Sequence, residues 1–351
     1  MNIRRIQDAG VKNKKALLRV DFNVAVKNGK VKEKFKIEAA KDTIKYLLKR
    51  NCRVAVVSHL GRPKGKINPE FSFEPLADDI NEILGIKIRF INDCVGEKIE
   101  SGLDDLKNNE IILLENVRFY EEEEENNKDF SKKLADRFDI FINDAFSVCH
   151  RDQASVTGVT QFLPSYAGIR LQKEIEEMER IKNNFERPAV IVIGGAKIET
   201  KLPMINFFEK KYDRVLIGGK IANEAADQNI KFSERVILPQ DFSGDRLDIG
   251  PKTLEKFQEI ISGAKTIVWN GPLGKFEEEE HSRGTYAVLN MILKNQNAYS
   301  VVGGGETIEV LEKYGAMEKI SFVSTGGGAM LEYLGGKKLP GIKALTKSIC
   351  E

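Results

Sequence analysis

Short apolar, β-branched runs recur along this chain, each separated from the next by a longer amphipathic stretch. That alternation predicts parallel strands with helices packed on both faces of a sheet, an α/β fold. In the first half the runs are KKALLRVDFNV, CRVAVVSHLGRP, IKIRFIND, EIILLENVRF and FDIFINDAFSVCHR, with helical stretches such as IEAAKDTIKYLLKR between them. In the second half they are PAVIVIGGAK, DRVLIGGK, KTIVWNGPLG, AYSVVGGGE and ISFVSTGGGA.

The residues at the end of each run differ between the halves. Ligands of open parallel sheets bind beyond the carboxyl ends of the strands, so these positions forecast the ligand. After the first-half runs come Asp21, Asn23, His59, Arg62, Arg118, His150 and Arg151, a set suited to a small, highly charged anion, with arginine supplying forked donors. After every second-half run come glycines, which let backbone N–H groups and helix N-termini approach phosphates. One glycine after a strand is ordinary turn punctuation; five in one half point to a nucleotide. An anion in one lobe and a nucleotide in the other imply phosphoryl transfer.

GGAKIETK, residues 194–201, is neither a phosphate-binding P-loop nor a dinucleotide turn. Its glycine pair allows a sharp turn, after which Lys197 and Lys201 fall one helical turn apart on one face. Cations at a helix N-terminus oppose the dipole, a placement that makes sense when a polyphosphate supplies negative charge. The acidic runs Glu121 to Glu125 and Glu277 to Glu280 read as solvated first turns of helices, the first with no chemistry. Trp269 is read equally as a packed aromatic or a nucleotide contact.

Composition limits the alternatives. A chain of 351 residues suits two domains. With 55 Lys+Arg against 53 Asp+Glu the net charge is +2, without the basic excess of a general nucleic-acid binder. Cys52, Cys94, Cys149 and Cys350 are scattered with no C-x-x-C pair, against zinc or a disulfide framework and in keeping with a reducing cytoplasm. There is no apolar signal core at the N-terminus and no run near the ~18 residues of a membrane span, so a soluble cytoplasmic protein, free of membrane and nucleic acid, is expected.

Eight segments carry a family resemblance: RVDFNV (19–24), SHLGRP (58–63), LLENVRF (113–119), NDAFSVCHR (143–151), GGAKIETK (194–201), WNGPLGKFE (269–277), GGGET (303–307) and STGGGAMLEYLGGKKLPG (324–341). Together and in order they resemble the phosphoglycerate kinases, over nearly the whole chain. The resemblance implies two similar doubly wound parallel-sheet lobes that close as a hinge. It puts a 3-phosphoglycerate domain at 1–168, with a C-terminal peptide of about 332–351 returning to it, and a nucleotide domain at 169–331. That second domain begins with a connecting helix near Leu171 to Asn184.

The reaction so implied is reversible transfer between 1,3-bisphosphoglycerate and ADP, giving 3-phosphoglycerate and ATP, by a monomer with Mg²⁺. Carried over by position, Asp21, Asn23, Lys36, His59, Arg62, Arg118 and Arg151 look like the triose-phosphate site. Gly194, Ala196, Lys197, Lys201, Asn270, Glu277, Gly303, Gly304, Gly305, Glu306 and Thr307 look like the nucleotide site, with Glu277 on the ribose and Glu306 on magnesium. Lys201, Lys36 and Arg151 look like the catalytic cations.

The chain departs from the family pattern at Lys36, where an arginine is usual, at Glu306 in place of aspartate, and at Gln153 in place of histidine; it is also shorter than most members. Those departures support one rival reading, a catalytically weak nucleotide-binding or regulatory relative. A second rival, a nucleotide-dependent ligase or dehydrogenase on a doubly wound fold, is disfavoured by the missing dinucleotide fingerprint.

Overall fold

A computed structural model describes residues 2–107 and 109–346. They form two compact units, one from the chain up to Glu176 together with the segment from Lys338 on, the other from Glu177–Lys337.

The first unit is built on six parallel strands in the order Lys87–Ile91, Glu110–Leu114, Arg53–Val57, Lys15–Arg19, Ile140–Asn143 and Ser165–Ala167. Successive side chains of a strand point to opposite faces. Leu18, Val54, Val56, Ile111 and Ile142 therefore enter one core cluster, while Leu17, Ala55, Val57, Ile112 and Phe141 enter the other. Because helices cover both faces, the strands read as unbroken apolar runs instead of alternating ones.

The second unit repeats the plan with six parallel strands in the order Val236–Ile237, Arg214–Ile217, Ala189–Ile193, Thr266–Asn270, Tyr299–Gly303 and Phe322–Ser324. Its central strands Ala189–Ile193 and Thr266–Asn270 are buried along their whole length. Between these two the chain reverses its direction of winding, which opens a crevice at their carboxyl ends. The outer strands Ser165–Ala167 and Val236–Ile237, of three and two residues, are too short to leave a periodic signal in the sequence.

The helix Ile169–Asn183 carries the chain from the first unit into the second. Its start is held in the first unit: Ile169 N–H donates to Thr43 Oγ1 at 2.9 Å and Leu171 N–H to Asp144 Oδ1 at 3.0 Å. Its second half is held in the other, where Tyr299 O–H donates to Glu177 at 2.5 Å, Tyr212 O–H to Ile181 O at 2.9 Å, and Tyr333 O–H to Glu179. Those opposed anchorages put the division inside the helix, between Glu176 and Glu177. From Lys338 the chain belongs to the first unit again, where Gly341 N–H donates to Cys149 O at 2.9 Å and Arg4 N–H to Leu345 O at 2.8 Å. Residues 347–351 of the expected C-terminal peptide, Cys350 among them, lie outside the described residues.

Candidate functional site

In the first unit the segment after Lys15–Arg19 turns back on itself, Asn23 N–H donating to Asp21 Oδ1 at 3.1 Å. Asn23 Oδ1 accepts from Gly61 N–H at 2.8 Å, which fastens this segment to the loop bearing His59 and Arg62. Lys36, on the helix Phe35–Ala39, donates to Asn23 O at 2.9 Å and stands 3.7 Å from Asp21 Oδ2. Burial opposes its charge, but Asp21 and Glu33 outweigh burial and hold its pKa above the ordinary value. Arg118 donates to Gly61 O at 3.0 Å and lies 3.6 Å from Glu124.

These groups converge on His59. The ring is buried, and its pKa is held well below the ordinary value, first by burial and then by Arg19, Arg118, Lys36 and Arg151. Four cations from four separate segments around one neutral imidazole create a field that attracts a small polyanion. Arg151 and Arg62 are exposed, Arg62 on the loop beyond Gly61.

In the second unit the candidate residues gather at the crevice. Gly194 N–H donates to Asn270 O at 2.9 Å, Gly219 N–H to Leu273 O at 2.8 Å and Ile221 N–H to Gly195 O at 3.0 Å, so three strand-end loops are locked backbone to backbone. Gly304 caps the helix Gly305–Tyr314 with φ of 103°, a conformation open to glycine. Asn270 and Thr307 serve that framework: Asn270 Nδ2 donates to Gly303 O at 3.0 Å, and Thr307 Oγ1 accepts from Gly271 N–H at 2.8 Å. Beside them opens a cavity of about 370 Å³, bordered by Gly195, Ala196, Pro272, Glu277 and Glu306.

Lys201 lies within reach of the Glu306 and Glu332 charges; desolvation lowers its pKa and those two carboxylates oppose the shift. Glu306 is exposed, and its carboxyl is raised, first by desolvation and next by Glu277, with Lys201 acting the other way. Lys197 is exposed and precedes the helix Ile198–Lys211 as its extended cap, with φ of −138°. This corrects the expectation of two lysines on one helical face: the turn after Gly194 and Gly195 consumes Ala196 and Lys197, and Lys201 alone stands in the first turn. The first amide of that helix is already engaged, Ile198 N–H donating to Glu224 at 2.7 Å.

Three further readings change. Glu123, inside the run expected to be solvated, is fully buried and accepts from Ser155 N–H at 2.8 Å and Ser155 Oγ at 2.6 Å, because the short helix Glu121–Glu124 turns that one position inward. Glu277 to Glu280 form a turn running into the 3₁₀ segment Glu279–His281 instead of a helix start. Trp269 is fully buried in the central strand, its indole N–H donating to Gly271 O at 2.9 Å, which favours the packing role. Sequence reasoning passes over Arg19. A charged residue closing an otherwise apolar, buried strand must have partners, and that is the available signal.

The phosphoglycerate kinase family profile matches residues 6–230 and 224–337. A phosphoglycerate kinase of Dictyoglomus turgidum is 39% identical over 97% of each chain. One from Borrelia hermsii is 39% identical over 99% of this chain and 100% of its own. Among solved structures, the phosphoglycerate kinase of Pyrococcus horikoshii matches with a TM-score of 0.87 and 32% identity over 98% of each chain. That of Coxiella burnetii gives 0.76 and 34% over the same shares. The likeness runs through both units and through the segments that build the cationic pocket and the glycine-rich crevice, and on it the chain belongs to the phosphoglycerate kinase family.

Proposed function

We propose that the chain performs its family's reaction, reversible phosphoryl transfer between 1,3-bisphosphoglycerate and ADP, with the first unit holding the triose phosphate and the second the nucleotide. The observation that carries this division is the group of cations around neutral His59 in one unit, against a glycine-bordered cavity in the other. Both reactants are ionised at neutral pH. A carboxylate oxygen of 3-phosphoglycerate attacks the terminal phosphorus of ATP, the bond to ADP breaks, and no proton has to move. The site therefore needs no general base; His59, kept neutral, serves as a hydrogen-bond donor.

What remains is to bring two anions together and balance the charge on the transferring group. Lys36 and Arg151 supply that charge from the first unit, with Asp21, Asn23, Arg62 and Arg118 orienting the triose phosphate. From the second, Lys197 holds nucleotide phosphates in the ground state, and Lys201 tracks the migrating group. Gly194, Ala196 and the Gly303 to Thr307 turn bring backbone donors to the phosphates, and Glu277 takes the ribose. Transfer requires the two units to close with both reactants bound, so that water is excluded.

Glu306 fits a divalent cation: its carboxylate offers oxygen donors, and the desolvation and neighbouring Glu277 charge that raise its carboxyl are strains a hard cation would relieve. Bound there with the nucleotide, Mg²⁺ would neutralise phosphate charge. Action as a cytoplasmic monomer, without nucleic acid or membrane, completes the proposal. Its support is a net charge of +2, free buried Cys52, Cys94 and Cys149, and no described helix long and apolar enough to cross a membrane.

Lys201→Ala tests the assignment. It should lower kcat and kcat/KM together, by about 2.7–4 kcal/mol of barrier, as for other lost electrostatic donors. A change confined to the KM for nucleotide would mean that Lys201 acts on the ground state alone.

A further inference from the structure

Arg19 is fully buried at the end of its strand. Its Nη1 donates to Val20 O at 2.5 Å, its Nε donates to Ser155 Oγ at 2.9 Å, and its Nη2 lies 3.1 Å from His59 Nδ1. A guanidinium has donors and no acceptor, so at the last contact the ring nitrogen must accept. Nδ1 then carries no proton, and the imidazole proton sits on Nε2. On the other side Ser155 Oγ donates to Glu123 Oε1 at 2.6 Å, and Glu123 is itself fully buried. Four side chains thus form a hydrogen-bonded line, Glu123 to Ser155 to Arg19 to His59, drawn from four parts of the chain.

We propose that Arg19 is a positioning residue for the triose-phosphate site: backed by Glu123 through Ser155, it holds His59 as the neutral Nε2–H tautomer, which meets the substrate as a fixed donor instead of a titrating cation. The inference rests on the substrate role proposed for His59. Protonation of the ring would set Nδ1–H against Nη2–H, two donors with no acceptor between them. Arg118, Lys36 and Arg151 oppose it as well. The nearby carboxylates are engaged elsewhere, Asp21 with Lys36 at 3.7 Å, Glu124 with Arg118 at 3.6 Å, and Glu123 with Ser155. A neutral donor suits a site already rich in cations, because it adds direction without adding repulsion.

The test is a ring-nitrogen correlation spectrum of the ¹⁵N-labelled full chain from about pH 5 to 8, spanning the ordinary histidine midpoint. His59, His150 and His281 are assigned by substitution. The unmodified protein should show His59 with Nε2 protonated, Nδ1 bare, and no titration across that range. Arg19→Met should release the ring to a mixture of tautomers and move its titration upward, toward that range. It should also raise the KM for 3-phosphoglycerate about tenfold, on the scale of one misdirected buried hydrogen bond, with a pH dependence that tracks the ring. A backbone amide spectrum of the variant that matches the parent's, apart from residues next to Arg19, reports that the first unit is folded. An Nδ1–H tautomer or a ring titrating near its ordinary value in the unmodified protein overturns the proposal, with no variant needed. So does an Arg19→Met protein that keeps the parent's tautomer and pH profile. The spectra read the ring whether or not the chain turns over 3-phosphoglycerate, so failure of the wiring and failure of the proposed reaction register separately.

Discussion

Replacing Gly194 by alanine should damage the nucleotide half of the site and leave the other half intact. A Cβ at Gly194 would stand 1.9 Å from Pro272 O and 2.6 Å from Gly271 O. Ordinary contact begins at 3.4 Å, so the facing backbone would have to retreat by about 1.5 Å in a close-packed interior. That backbone is held on both sides: Gly271 N–H donates to Thr307 Oγ1 at 2.8 Å and Leu273 N–H to Thr285 Oγ1 at 3.0 Å. The strain therefore passes into the loops that border the cavity. Overpacking of this kind costs about 1–3 kcal/mol. In a protein with units of this size that lowers Tm by roughly 2–12 °C. ADP affinity should fall at least about tenfold, the equivalent of roughly 1.4 kcal/mol, while 3-phosphoglycerate binds as before. Titration calorimetry with each ligand separately, alongside thermal unfolding, provides the assay. Gly263→Ala is the matched control: its Cβ would meet nothing within 4 Å and its φ is −89°, so stability should hold or rise slightly. Parental ADP affinity and Tm in Gly194→Ala would mean that the facing backbone at Gly271 and Pro272 yields without strain.

Buried partners support three shorter predictions. Lys36→Arg should keep or raise turnover, since a fork replaces a point charge. Lys36→Ala should lower turnover roughly a hundredfold, and by stranding Asp21 should lower stability by about 3–5 kcal/mol, read by steady-state kinetics and denaturant unfolding. Asp144 has its pKa raised from 3.8 to about 6 by burial, against its hydrogen bonds to Thr43 and to the start of the connecting helix. The folded form thus holds the extra proton, and the stability this contributes, roughly 3 kcal/mol, is full below about pH 4 and lost as pH rises through 6. Asp144→Asn keeps the acceptor and should flatten Tm against pH in that window; an unchanged slope would contradict the assignment. Thr307→Val leaves Gly271 N–H without its acceptor and should cost about 1–3 kcal/mol, measured by unfolding, together with weaker ADP binding.

The fold was legible because both faces of each sheet are buried. A strand such as Ala189–Ile193 then appears in the sequence as a continuous apolar run, and the glycines that end such runs mark where the backbone must turn or approach another loop closely. Asp21, His59, Arg118 and Arg151 could be singled out for a related reason, their place after the apolar runs, where open α/β sheets bind ligands, whereas Lys36 was singled out only through the family resemblance. Arg19 was not, because its partners lie 40 residues away at His59 and 136 away at Ser155, and only folding brings them together. Glu123 was hidden among five consecutive glutamates, where composition cannot tell which side chain turns inward. The place of Lys197 depended on where a helix begins, and that is decided by the conformation of the cap, which residue types at i and i+4 do not specify.

The most direct measurement is a coupled assay of the purified chain with 3-phosphoglycerate and Mg-ATP. ADP should form in step with 1,3-bisphosphoglycerate, dependent on both substrates. Turnover no greater than the blank, in protein shown to be folded and to bind both ligands, would contradict the proposed reaction.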